Sequence, residues 1–219
     1  MSFTQIGIQT ASIATSLIAA GGIAALSLFD IPELQSQPAS RSLPSIRWLF
    51  SRGSHIFPPA SSLSAIGFAY LAYTALSPRR GVLQLLKFGE NNSKTNAYLL
   101  AAALSFSIAP WTALVMVPRV NFKLIEKNEQ YGGARSEKSA KETDITSTEG
   151  RSAEDSVDGK GDVNQFTDLS DPASRTQKGT GKEENAKVME MLGQFGRLNA
   201  VRALLIGAGG IVGLVAALS

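Results

Sequence analysis

The chain has 219 residues, 44% hydrophobic and 18% charged, with a net charge of +3, a length suited to one domain or a small helical bundle. It has no cysteine and one histidine, which excludes disulfides, thiolate metal sites and cysteine nucleophiles and leaves almost nothing for a transition-metal site. Residues 132–185 carry twelve Asp or Glu against eight Lys or Arg, whereas the remainder carries six against thirteen, so the positive total describes neither part and does not point to a nucleic-acid partner.

Residues 1–29 hold no charge, and Ile6 to Phe29 predict a first membrane-spanning helix. Ser12, Ser16, Ala20 and Ala24 recur on it every four residues, a stripe of small side chains that lets another helix approach closely. A cleaved secretory signal would need a basic start and a short apolar core, and this segment has neither. Asp30, Ile31 and Pro32 are expected to end the helix, and residues 30–56 to form a loop. Within that loop Trp48, flanked by Arg47 and Arg52, has the pattern of an interfacial anchor. His55 stands just before Pro58 and Pro59, which open a second uncharged span from Phe57 to Ser77. Pro78, Arg79 and Arg80 close it, and the basic connection 78–94 contains a glycosylation sequon at Asn91 that lies nearly at the membrane.

The third span is the stretch the rest is arranged around. From Thr95 to Pro118 there is no charge, and about 24 residues of helix rise roughly 36 Å, enough to cross a hydrocarbon core of about 30 Å. Pro110 should bend it, because proline lacks a donor and crowds the carbonyl of Phe106. Arg119, Asn121 and Lys123 follow at once, so a site is expected where this helix meets water. Residues 126–187 are polar and lack apolar periodicity, which predicts disorder. After Arg202 the last 17 residues are apolar, with Gly209, Gly213 and Ala217 as a second small-residue stripe. A fourth span therefore starts near Leu198.

The expected architecture is thus an all-α integral membrane four-helix bundle with a long disordered loop before the last helix. Residues 1–125 hold the first three membrane helices with their connections, 126–187 the acidic loop, and 188–219 the fourth helix. Both termini then share a side with 78–94. The cations flanking 30–56 and 118–197 place those two loops in the cytosol by the positive-inside rule. The glycine cluster at 207–213 lacks the spacing of a dinucleotide loop, since Val212 occupies the third glycine position, and reads as helix packing. Histidine is the side-chain type that ordinarily titrates near neutrality. His55 falls on the same side as Arg119, Asn121, Asn199 and Arg202. Taken singly, the arginines could snorkel to phosphates and Asn199 could bond a neighbouring helix. Together, one imidazole, two guanidiniums and two amides at one end of a small apolar bundle are less ordinary.

Three stretches resemble the fungal anthrone oxygenases: IRWLFSRGSHIFPPASSLSAIGFAYLAY (46–73), APWTALVMVPRVNFKL (109–124) and GRLNAVRALL (196–205). Trp48, Gly53 and Pro59 carry the first, Pro110, Thr112, Met116, Pro118, Asn121 and Leu124 the second, and Leu198, Asn199 and Arg202 the third. Phe195 stands where a tryptophan is usual, Arg119 where a smaller polar residue is common, and the acidic insertion is unusually long. The resemblance implies oxidation of a polyketide anthrone to an anthraquinone by molecular oxygen, with no metal, flavin or other cofactor, in an internal membrane such as the endoplasmic reticulum. On that footing His55 is the expected base, Arg119 or Arg202 the oxyanion partner, and Trp48, Asn121 and Asn199 the substrate-binding residues, with Asp30 a weaker candidate for the base. The competing expectation is a non-catalytic membrane scaffold that recruits partners through its acidic loop, where Ser152 to Asp155 has the form of an acidic-directed phosphorylation site.

Overall fold

The computed structural model describes residues 2–76, 81–87, 92–142, 151–159 and 161–219; the helix stop at Pro78, Arg79 and Arg80 and Asn91 of the sequon lie outside the described residues. Helices and turns account for all regular structure among them. In chain order they are α1 (Phe3–Gln35), α2 (Ala39–Thr74), a 3₁₀ turn (Val82–Leu86), α3 (Ser93–Gln130), the short α4 (Glu137–Glu142) and α5 (Ala153–Asp158), and α6 (Lys182–Leu218).

Among the described residues three helices, α1, α3 and α6, are long and apolar enough to cross a membrane, where four were expected. The fourth, α2, has 36 residues, but the prolines and serines between Phe57 and Ser64 dilute its apolar run.

Pro32, expected to end a helix, does not end it. α1 continues through Pro32 because a π-helical segment, Leu26–Asp30, precedes the last α-turns and leaves Pro32 in a first turn, where a missing N–H costs least. α3 likewise passes Pro110 and changes to a π-helical segment over Thr112–Asn121, with Pro118 inside it. At this junction the Thr112 hydroxyl donates to the Ile108 carbonyl at 2.7 Å.

The loop expected over 30–56 is largely the first half of α2. Pro44 cannot donate to the Ser40 carbonyl four residues back, and the backbone N–H of Thr176 fills that place at 2.7 Å. The exposed donors of the first turn are capped from the same distant stretch. Ala39 N–H donates to Asn185 Oδ1 at 2.9 Å, and Ser40 N–H to Thr180 Oγ1 at 3.2 Å. These are caps in the ordinary sense, supplied by residues some 140 positions away.

The chain divides into two compact units, to both of which each long helix contributes. Unit 1 comprises Met1–Ala24, Phe57–Thr112 and Ala200–Ser219. It packs through small residues, as the stripes predict. Ser16 and Ser105 share a hydroxyl hydrogen bond at 3.1 Å, and Ser61 donates to the Ser105 carbonyl at 2.7 Å. A Cβ on Gly209 would stand 2.6 Å from the Ser105 hydroxyl, and one on Gly213 would strike the Phe68 ring. Ala19, Ile23, Ile108 and Ile206 form one buried cluster; Phe68, Leu71, Ala72, Tyr98, Ala101 and Ala216 form another.

Unit 2 comprises Ala25–Ile56 and Ala113–Asn199. Its described part of 126–187 is built into the fold, unlike the disorder that composition predicts. What composition misses is pairing. Arg47, 3% exposed, donates to the Ser156 carbonyl at 2.8 Å, and the Ser156 hydroxyl donates to Glu129 Oε1 at 2.6 Å. Arg151 grips both oxygens of Glu129 at 3.1 Å and stands 3.7 Å from Asp162, which also pairs with Arg135 at 3.6 Å. Burial pushes Arg47 down to about 10, with Glu129 opposing the shift, so it remains a cation at neutral pH. Charges that would keep a free segment in water thus neutralise one another inside this unit.

Candidate functional site

The site is built on α2 and on the segment lying along it. Trp48, Ser51, Arg52 and His55 fall at i, i+3, i+4 and i+7 of one helix and share a face. Residues 165–170 run along that face. The Trp48 indole N–H donates to the Ser170 carbonyl at 2.9 Å, and Arg52 donates to the carbonyls of Asp168 and Ser170. Ser51 donates to Gln165 Oε1 at 3.4 Å, and Phe166 packs its ring on the His55 imidazole, centroids 4.4 Å apart with the planes inclined by 37°. The Arg52 guanidinium also lies 5.3 Å from the centre of the Trp48 ring.

Asp168 pins this segment. It accepts from the Ser136 hydroxyl at 2.5 Å, from the Ser170 hydroxyl at 2.7 Å and from the Ser170 backbone N–H at 3.0 Å. Burial pushes its carboxyl up, but the hydrogen bonds from Ser136 and Ser170 and the charge of Arg52 outweigh burial and hold it below the usual carboxylate range.

His55 was expected in a loop and lies within α2. Pro58 and Pro59 follow it inside the helix, so the Ser54 and His55 carbonyls have no i+4 donor. Its Nε2 is buried and has no hydrogen-bond partner among the described residues. Asn121, the last residue of the α3 π-segment, has a buried Oδ1 in the same condition. Arg119, two residues before it, is exposed. Asn199 is fully buried and donates from Nδ2 to the Ser27 hydroxyl at 2.9 Å, tying α6 to the π-segment of α1. Asp30, half-buried, ends that π-segment.

Of the six expected site residues, five belong to unit 2, and Trp48 and His55 share one helix face. Arg202 belongs to unit 1, where its guanidinium lies 5.9 Å from the centre of the Phe57 ring. Unit 1 also has an apolar groove of about 430 Å³ along Ile8, Ser12, Leu63, Ile66, Gly67 and Tyr70, which none of the six lines. Sequence reasoning passed over Phe166. The signal was present, since Phe166 is the one aromatic residue between 132 and 185, but an average over the segment hides a single ring.

Among the described residues the chain is all-helical, three of its helices are long and apolar enough to cross a membrane, which marks a membrane protein, and the His55 Nε2 is buried without a partner. The chain belongs to the anthrone oxygenase family, whose model matches residues 47–212, a range that contains all six residues and the 126–187 stretch. Membership implies an oxygenase acting on an anthrone with molecular oxygen. Neither a curated protein nor a solved structure matches the chain.

Proposed function

We propose that the protein is a cofactor-independent monooxygenase that converts a polyketide anthrone to its anthraquinone. In this reading it resides in an internal membrane such as the endoplasmic reticulum, and residues 57–74 of α2 make a fourth crossing. The base is His55. Its Nε2 takes a proton from the benzylic carbon opposite the anthrone carbonyl, and the electron pair delocalises into an aromatic enolate. That electron-rich anion reduces oxygen and forms a C–O bond, giving a peroxide. Loss of the second benzylic proton with O–O cleavage then expels water and leaves the new carbonyl. One oxygen atom enters the quinone and the other enters water. The substrate supplies all four electrons, so no external reductant is required.

Arg119 is the proposed cation for the growing oxyanion, since it shares unit 2 with His55 and Asn121 whereas Arg202 packs on Phe57 in unit 1. The unpartnered Oδ1 of Asn121 accepts from a substrate hydroxyl. Trp48 and Asn199 support the site through Ser170 and Ser27. The observation that carries the reading is the orphaned Nε2 of His55 in a chain of this family. A buried imidazole nitrogen without a protein partner is available to a substrate proton, and a buried polar atom left unpaired is costly unless a ligand or water uses it.

His55→Ala should lower anthrone turnover by about 10² to 10⁴, the usual loss on removing a general base, with little loss of protein in the membrane. Spontaneous oxidation by air is subtracted from each rate. Raising the pH should restore part of the activity, because more substrate ionises unaided. Asn121→Ala should weaken binding or orientation without that rescue. Wild-type turnover by His55→Ala at neutral pH would refute the assignment.

A further inference from the structure

Among the features outside the six expected residues, the segment 165–170 stands out because its hydrogen bonds and its ring contact with α2 fall on the face that carries His55. Gln165 meets Ser51, Phe166 meets His55, Asp168 and Ser170 meet Arg52, and Ser170 meets Trp48. Asp168 fixes the middle of the segment through Ser136 and Ser170. Phe166 itself is 73% exposed. A large apolar ring left that open contributes little to a core, so burial does not explain its place. Among the described residues its one aromatic contact is the imidazole.

We infer that Phe166 is a positioning residue for His55: the segment 165–170 is a strap that lays the phenyl ring on the imidazole and holds its plane, so that Nε2 keeps one orientation toward the substrate. The inference rests on the reading of His55 as the base. It makes the acidic insertion part of the site, where the sequence alone suggested a disordered loop. An imidazole at the end of a rotatable side chain can turn about two bonds. A ring packed 4.4 Å from its centre restricts that rotation, and proton abstraction depends steeply on such alignment.

The experiment uses the full chain in lipid nanodiscs and exploits the presence of one histidine. With histidine isotopically labelled, the only imidazole C–H resonances are those of His55. Phe166→Ala should move them, because the ring current of the phenyl is lost, and should speed carbethoxylation of the imidazole by diethyl pyrocarbonate. The same variant should lower kcat for anthrone oxidation roughly tenfold to 10²-fold, with KM nearly unchanged. Phe166→Tyr, which keeps the ring, should stay near wild type, and Phe166→Leu, which keeps bulk without a ring, should behave as the alanine variant does. Unmoved resonances in Phe166→Ala would overturn the stack. Moved resonances with wild-type kcat would overturn the positioning role and leave His55 as the base if His55→Ala is inactive. Wild-type turnover by His55→Ala would remove the base assignment and the positioning role together, while the resonances would still report the stack. Because Phe166 is largely exposed, its replacement does not empty a core, and the leucine variant answers any concern about lost volume.

Discussion

Gly213 shows how narrowly single positions are set in unit 1. A side chain there would enter the space of the Phe68 ring, which is fully buried in the cluster with Leu71 and Tyr98. Gly7, on α1 in the same unit, has nothing within 4 Å of where a Cβ would stand. Gly213→Leu should therefore destabilise the protein by about 1–3 kcal/mol through overpacking, read as a lower thermal midpoint in detergent, and Gly7→Leu should leave the midpoint nearly unchanged. Equal midpoints for the two variants would mean that the approach at Gly213 is loose. Asn199 teaches a related lesson about polar residues. The sequence left it open as a substrate-binding residue or a bond to a neighbouring helix, and it donates from Nδ2 to Ser27; the α1 π-segment that presents Ser27 was not foreseeable from local pattern.

At the scale of elements, legibility depended on how far each cause lies along the chain. The apolar runs of α1, α3 and α6, and the small-residue stripes on α1 and α6, are local patterns, and they were read correctly as membrane-length helices, the striped two packing closely. The first half of α2 was missed because Pro44, Pro58 and Pro59 are breakers by any local rule, while Thr176, Thr180 and Asn185, which satisfy its start, come from the stretch that composition marks as disordered. Composition counts charges and cannot see that Glu129 sits between Arg151 and the Ser156–Arg47 link. The strap has a pH signature for the same reason. Asp168 has a lower pKa folded than it would have free, as the bonds from Ser136 and Ser170 and the charge of Arg52 prevail over burial. Its contribution is therefore complete above the ordinary carboxylate pKa of about 3.9 and is lost as the pH falls through the depressed value. In a Trp111→Phe background the fluorescence of Trp48, whose indole is bonded to Ser170, should report release of the strap in acid. Asp168→Asn should hold the strap more weakly at neutral pH and abolish that acid transition. An unchanged transition in Asp168→Asn would assign it to another group.

For the molecule as a whole, the open quantity is the number of crossings, and it bears on which reading of the insertion survives. A recruiting scaffold would need the insertion's charges free for a partner. In unit 2 Asp162 faces Arg135 and Arg151, Asp168 is held by two serines, and the Ser152 hydroxyl is engaged with Asp155. An enzyme needs something different, namely that 30–56 and 113–199 lie on one side of the membrane, since His55, Arg119 and Asn121 come from both. That requirement is met only if the chain crosses between residue 56 and the start of α3, and, among the described residues, 57–74 of α2 are the stretch placed to do so. They carry no charge, and 18 residues of helix rise about 27 Å, close to the hydrocarbon thickness of a thin internal membrane. Serines and prolines lower their hydropathy, but Ser61 bonds within the protein, which removes part of the cost of taking a hydroxyl out of water. Four crossings put both ends of the chain on one side, and three put them on opposite sides. Epitope tags on the two ends should therefore show the same protease accessibility in sealed microsomes, and a third tag inserted after Gly179, which is exposed in the connection to α6, should show the opposite one. If the two terminal tags differ before detergent is added, α2 does not cross, and the site proposed around His55 cannot be assembled from these segments.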